Sequence, residues 1–203
     1  MNLPDVNKSY ALLAESRLSV YDMLSRLFLE LPNEKLVSSI LNPEFKNNLD
    51  ELAIVFESGK IRDGLELISN FISSINNQPP PEIVRSVSVD RTRLLRGINQ
   101  KTSPPPPYES IYRESRLMGE STSEVSRLYS QFHFNITEEY NEPPDFLGIE
   151  LDFIRFLCFS EKEAWENNDS TRAAKLLQTG YDFLKNHLLI WAPRYCEDMF
   201  AKS

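Results

Sequence analysis

Between Asp145 and Asn167 the chain reads as a helix that is apolar around most of its circumference. At about 100° per residue, Phe146, Leu147, Phe153, Ile154, Leu157, Cys158, Ala164 and Trp165 cover most of its surface. Gly148, Asp152, Arg155, Lys162 and Glu166 fall on one polar face. Such a helix must be surrounded by others, so it belongs at the centre of a bundle. Glu150 falls near the middle of the apolar side, between Phe146, Leu157 and Ile154. A carboxylate buried there must be neutralised or strongly hydrogen-bonded. Three readings stay open: a clamp on the preceding loop through the hydroxyls of Tyr108 or Ser110, a ligand contact, or a residue exposed by a kink. Asp145 reads as a first-turn carboxylate favoured by the helix dipole, with Glu142 just outside. Phe159 projects onto the polar face, where a lone exposed aromatic is usually incidental.

The remaining chain carries the same three- and four-residue period. Leu13, Leu18, Tyr21, Leu24, Leu27, Phe28 and Leu31 mark one helix between Tyr10 and Pro32. Asn33 caps a short helix with Leu36, Val37, Ile40 and Leu41, and Asn42-Pro43 opens another, with Phe45, Leu49, Leu52, Ile54, Val55 and Phe56, ending near Gly59. Ile61–Ile75 follows. Pro81 suits the first position of a helix from Glu82 to Arg96, which Gly97 closes. From Ile98 to Glu120 no period is clean, and Pro104-Pro105-Pro106-Pro107 predicts a long loop stiffened as polyproline II. Ser121 and Glu124 fit a capping box for the next helix. Helices from Ser170 to Lys185 and from Leu188 to Ala201 complete the chain. The expectation is an all-α protein: a single compact helical bundle of about nine or ten helices over residues 1–203. Residues 1–97 and 121–203 are candidate parts, joined by the Pro-rich loop 98–120.

Composition narrows what such a bundle can do. Only 6 glycines are present, and neither GxGxxG nor GxxxxGK[ST] occurs, which argues against nucleotide folds built on glycine loops. The net charge of −8 disfavours nucleic acid and anionic membranes and favours cationic partners. Acidic residues Asp5, Glu15, Asp22 and Glu30 are unlike a signal peptide, and no apolar run is long enough to span a membrane, so the expected location is cytoplasmic. Cys158 and Cys196, on apolar helical stretches without CxxC spacing, read as buried reduced thiols. The only histidines, His133 and His187, lie in different helices without a Glu-x-x-His pattern, so no metal site or cofactor is expected. His133 reads as a helix C-terminal residue. Glu142, Asp145 and Glu150 could serve acid–base chemistry, but carboxylates alone define no reaction, and no catalytic residue is assigned.

Three segments in order carry a family resemblance. Val89-Asp90-Arg91-Thr92-Arg93-Leu94-Leu95-Arg96-Gly97 is similar to an acidic-x-x-Arg-Leu-Phe-x-Gly stretch. Pro106-Pro107-Tyr108-Glu109-Ser110-Ile111-Tyr112 follows, with Leu117-Met118-Gly119-Glu120-Ser121-Thr122 after it. Glu142-Pro143-Pro144-Asp145-Phe146-Leu147-Gly148-Ile149-Glu150-Leu151 is like Glu-Pro-x-Asp-His-x-x-x-Glu-Leu. Together they resemble the TorD/DmsD/NarJ family of chaperones for molybdenum-containing redox enzymes. Phe146 departs from the pattern, standing where many relatives have histidine, so no imidazole role carries over.

The resemblance implies an all-helical cytoplasmic chaperone, not an enzyme. Its partner would be the apo catalytic subunit of a molybdopterin-dependent oxidoreductase, or that subunit's twin-arginine leader. It would assist cofactor insertion, assembly or export proofreading, as a monomer or a dimer. The implied client-binding residues are Tyr108, Glu109, Tyr112, Glu142, Pro143, Asp145, Phe146 and Glu150. The alternative is a helical protein-interaction or regulatory module without such a client.

Overall fold

The computed structural model describes residues 6–55, 59–97, 101–137 and 140–202. Among them ten α-helices occur: α1 (Val6–Leu29), α2 (Glu34–Ile40), α3 (Pro43–Val55), α4 (Lys60–Ile75), α5 (Pro80–Arg96), α6 (Glu109–Glu114), α7 (Glu120–Gln131), α8 (Leu147–Glu166), α9 (Ser170–Phe183) and α10 (Leu189–Phe200). The protein is all-α, as the periodicity predicts. Asn33 caps α2 as expected, its side chain accepting from the Leu36 N–H at 2.9 Å. The expected end of α3 near Gly59, with Phe56, lies outside the described residues. So do the side chains of Leu52 and Val55 and the start of the proline loop at Ile98.

The chain divides into two compact units. One is Leu31–Arg93, in which Val37, Ile75 and Ile83 form a small core with Leu41, Val84 and Val87 packed against it. The other comprises Met1–Glu30 and Leu94–Ser203 and is organised around α8. There α8 packs along α1 and against α9. Phe153, fully buried, sits among the rings of Tyr129, Phe132, Phe134 and Phe183.

α1 meets α8 through small and half-buried residues. Ala11, Ala14 and Ser25 are buried, with Leu18, Tyr21, Leu24 and Phe28 against the core, whereas Leu13, Leu27 and Leu31 face outward. Those three were expected on the inner stripe. The small residues let the two backbones approach closely, and Gly148 does the same from α8. A methyl group at Gly148 would meet Leu29 and Phe28 at 2.9 Å, so this residue is packed against α1 and does not belong to the polar face. That polar face instead forms ion pairs with α1. Arg17 bonds Glu161 at 2.7 Å, Lys162 bonds Glu15 at 2.8 Å, and Arg155 lies 4.0 Å from Asp22.

The stretch expected to be one long loop contains α6. Tyr108 is extended and Ser115 left-handed, which bounds a helix of 6 residues. α7 begins at Glu120, and no capping box forms at Ser121 and Glu124. Glu114 takes the capping role instead, accepting from the N–H groups of Glu120 (2.7 Å) and Ser121 (2.8 Å) and from the Ser121 hydroxyl (2.7 Å). The last two helices run together through a π turn, Leu184–Leu188. Cys158 is buried as expected, but Cys196 is exposed; both are free. Phe159 is exposed, as its projection predicts.

Candidate functional site

The proline loop and the segment before α8 run against each other. The Leu147 N–H donates to the Pro107 carbonyl and the Glu109 N–H to the Asp145 carbonyl, each at 3.0 Å, producing an isolated antiparallel bridge between Tyr108 and Phe146. Prolines suit this role because their φ is fixed in advance and their carbonyls remain free to accept. The rings of Tyr108 and Phe146 pack at a tilt behind the bridge, 5.6 Å apart. Phe146 is buried and serves as an apolar packing residue.

Asp145 caps α6, not α8. Its Oδ2 accepts from the Ser110 N–H at 2.9 Å, and the side chain is fully buried. Phe146 stands at the N-cap of α8 and offers no side-chain cap, whereas the sequence reading places Asp145 in the first turn of that helix. Pro143 supplies the carbonyl that turns the chain into α8, accepting from the Phe146 N–H at 3.0 Å. Glu142 joins two further elements. It receives the Tyr108 hydroxyl at 2.7 Å on Oε2 and Arg96 at 2.7 Å on Oε1. Burial, reinforced by the Glu142 carboxylate, pushes the Tyr108 phenol well up, so the hydroxyl stays a donor. Tyr112 donates to the Pro105 carbonyl at 3.2 Å and lays its ring against Trp191 and Tyr195.

Beneath these residues lies a buried polar cluster. Glu109, fully buried, accepts from Arg113 at 2.6 Å and lies 3.0 Å from Nδ1 of His187. Glu150, also fully buried, accepts from the Trp191 indole N–H at 3.2 Å. Its carboxyl is raised well above the ordinary range. Burial is the main cause, the Glu109 charge and a hydrogen bond with Glu109 add to it, and Trp191 opposes it. The other carboxyl oxygen of Glu150, Oε1, is buried without a hydrogen-bond partner. Neither expected partner reaches Glu150: the Tyr108 hydroxyl goes to Glu142, the Ser110 hydroxyl has no partner, and the bond Glu150 receives comes from Trp191 of α10.

All eight residues singled out from the sequence thus converge on one volume, joined by residues the sequence did not single out. Arg96, Arg113 and His187 supply the positive or donor groups, and Trp191 the indole. One signal was present. Phe183, His187, Trp191 and Tyr195 recur at strict four-residue steps, which drift about 40° per step on an α-helix. The π turn absorbs that drift and keeps all four buried. His133, by contrast, adopts a left-handed conformation just past α7 and lies outside the cluster. Among the described residues no group of His, Cys, Asp and Glu is suited to hold a metal ion, and no helix is long and apolar enough to cross a membrane.

The described residues thus form an all-helical frame around a tightly packed, buried polar clamp. Comparison with known proteins sharpens this. The family model described as nitrate reductase delta subunit matches residues 58–197, which include the whole clamp. The chain is 26% identical over 188 residues to chaperone protein TorD of Vibrio cholerae serotype O1, covering 92% of this chain and 80% of that protein. It is 32% identical over 94 residues to the chlorate reductase assembly chaperone protein of Ideonella dechloratans, covering 46% and 48% of the two chains. Over 72 residues it is 35% identical to the selenate reductase assembly chaperone protein of Thauera selenatis, 36% of each chain. No solved structure matches. The chain belongs to the TorD/DmsD/NarJ family of redox-enzyme maturation chaperones, in which the nitrate reductase delta subunits are included. It is a chaperone, not an enzyme.

Proposed function

We propose that this chaperone works in the cytoplasm on the apo catalytic subunit, or the twin-arginine leader, of a molybdopterin-dependent oxidoreductase. It holds that client while cofactor is inserted and the enzyme is assembled or released for export. The observation that carries the reading is the convergence of the family-like segments on one clamp, in a chain whose relatives include assembly chaperones for chlorate and selenate reductases. Within the clamp, Glu109, Asp145, Phe146 and Glu150 are too deeply buried to meet a client and act as framework. Tyr112, Glu142 and Pro143 are only partly buried and form the surface that the client touches. A net charge of −8 suits a client segment that carries arginines beside an apolar stretch.

The test is titration of the purified protein with twin-arginine leader peptides and, separately, with a leaderless apo catalytic subunit. Saturable binding to at least one supports the proposal, and no saturable binding to either overturns it. Tyr112→Ala should weaken that binding about tenfold, or 1.4 kcal/mol. Phe159→Ala, on the exposed face of α8, should leave it unchanged.

A further inference from the structure

α1 carries two apolar faces, and α8 occupies one of them. Ala11, Ala14, Leu18, Tyr21, Ser25 and Phe28 recur at three- and four-residue steps and make the inner face. Val6, Leu13, Val20 and Leu27 recur at a strict heptad spacing on another face, and are 60%, 60%, 51% and 49% exposed. A column at this spacing drifts only about 20° per repeat, so it forms one straight ridge about 30 Å long. Beside it runs a row made of Ser9, Ser16 and Met23, all exposed. An apolar strip this long on a protein surface marks an interface. We propose that the ridge pairs with itself: α1 of one copy lies antiparallel on α1 of a second copy, about a two-fold axis near Leu18. This goes beyond the client-binding reading and does not depend on it.

The ridge is complementary to its own inverted copy. Antiparallel pairing about Leu18 sets Leu27 against Ser9 of the second copy, Val20 against Ser16 and Leu13 against Met23, and the two-fold axis repeats each pair. Aliphatic knobs then meet small or pliant side chains, which lets two helices approach closely. Parallel pairing would instead set serine on serine and leave gaps along that row. Burying Ser16 strands no donor, because its hydroxyl already donates to the Leu12 carbonyl at 3.0 Å. Ser19, at the edge of the strip, donates to the Glu15 carbonyl at 3.1 Å in the same way.

Charge selects a second copy over other occupants. Between Val6 and Leu27 neither the ridge nor the serine row contains a charged residue. The charges of α1 are engaged on its flanks, Glu15 with Lys162 at 2.8 Å, Arg17 with Glu161 at 2.7 Å and Arg26 with Glu30 at 2.6 Å. An arginine-bearing client segment would find no carboxylate on this face. An anionic lipid surface would meet Glu15, Asp22 and Glu30 rather than the lysines and arginines that hold a helix on a membrane. An identical ridge is uncharged as well, and two-fold pairing closes on itself after two copies.

Sedimentation equilibrium over micromolar concentrations tests the interface. The wild-type chain should pass from one to two chain masses as concentration rises. Val20→Glu sets two carboxylates near the axis and should weaken the dimer at least about tenfold, with helicity by circular dichroism unchanged. Leu189→Glu, at an exposed position of α10, should leave the dimer as in wild type. A monomeric wild type overturns the proposal, as does an unchanged dimer in Val20→Glu or an equal loss in Leu189→Glu. Crosslinking reads the register in a Cys196→Ser background, which lacks the exposed thiol. A short bismaleimide should couple two copies of Leu13→Cys/Met23→Cys but not of Leu13→Cys alone, whose thiols would stand about 15 Å apart along the axis. Coupling of Leu13→Cys alone, or no coupling of the double variant, overturns the antiparallel pairing. Should Val20→Glu lose helicity, the crosslinking result decides. Protection of α1 amides in a monomeric wild type by leader peptide or by phosphatidylcholine vesicles would give the face to that occupant instead.

Discussion

Gly148 sets how closely α1 can lie on α8. The atoms a methyl group would meet are Phe28 Cβ, Leu29 Cγ and Phe146 Cε1, all in side chains packed in the core. Gly148→Ala should therefore destabilise the protein by about 1–3 kcal/mol, read as a lower urea midpoint. Glu114 and Glu150 give opposite responses to pH. Bonds from Ser121, backbone first, hold the Glu114 carboxyl at about 2, against an ordinary 4.5. Its contribution is present above the ordinary value and is lost as pH falls through about 2. Acid unfolding of Glu114→Gln should lack that component. Glu150 is shifted upward, so its contribution is complete below 4.5 and is lost as pH rises through its folded-state value. Urea midpoints should accordingly move in favour of Glu150→Gln, relative to wild type, from about pH 5 to about pH 9. The oddity of Glu150 was legible because a carboxylate on an apolar helix face breaks the pattern. Its partners were not, since Trp191 and Glu109 become neighbours only through tertiary folding.

At the scale of elements, long helices were readable and short or irregular ones were not. α8 is visible because 20 residues show many turns of period, whereas the 6 residues of α6 show fewer than two. α6 also owes its start to Asp145, 35 residues away, a contact no local pattern encodes. The same holds at α7, where Glu114 reaches its free N–H groups and leaves the Ser121–Glu124 box unused. The π turn shows how an element can be hidden in a spacing. A bulge of this kind accommodates one extra residue, and removing the exposed Lys185 would turn the buried series into the three- and four-residue steps of a plain α-helix. Deleting Lys185 should therefore cost less stability than inserting an alanine after it, which rotates α10 by about a further 100°. Thermal unfolding of the two variants compares them directly.

For the whole molecule, period and composition were enough to give an all-α protein, and three ordered motifs gave its family. Which faces meet was not readable: Leu13, Leu27 and Leu31 look like core residues by period, yet it is the small residues Ala11, Ala14 and Ser25 that let α1 settle on α8. The charge of −8 predicts that binding of an arginine-bearing leader weakens as salt rises, which calorimetric titration at two ionic strengths would show. The clamp also has a consequence for biosynthesis. Tyr108 waits for Glu142, 34 residues on, Ser110 for Asp145, 35 on, and Glu109 for His187, 78 on. As the chain leaves the ribosome, α6 cannot complete its docking until the π turn has been made, because Glu109 waits for His187. The clamp is thus assembled late, as a seal on helices already in place.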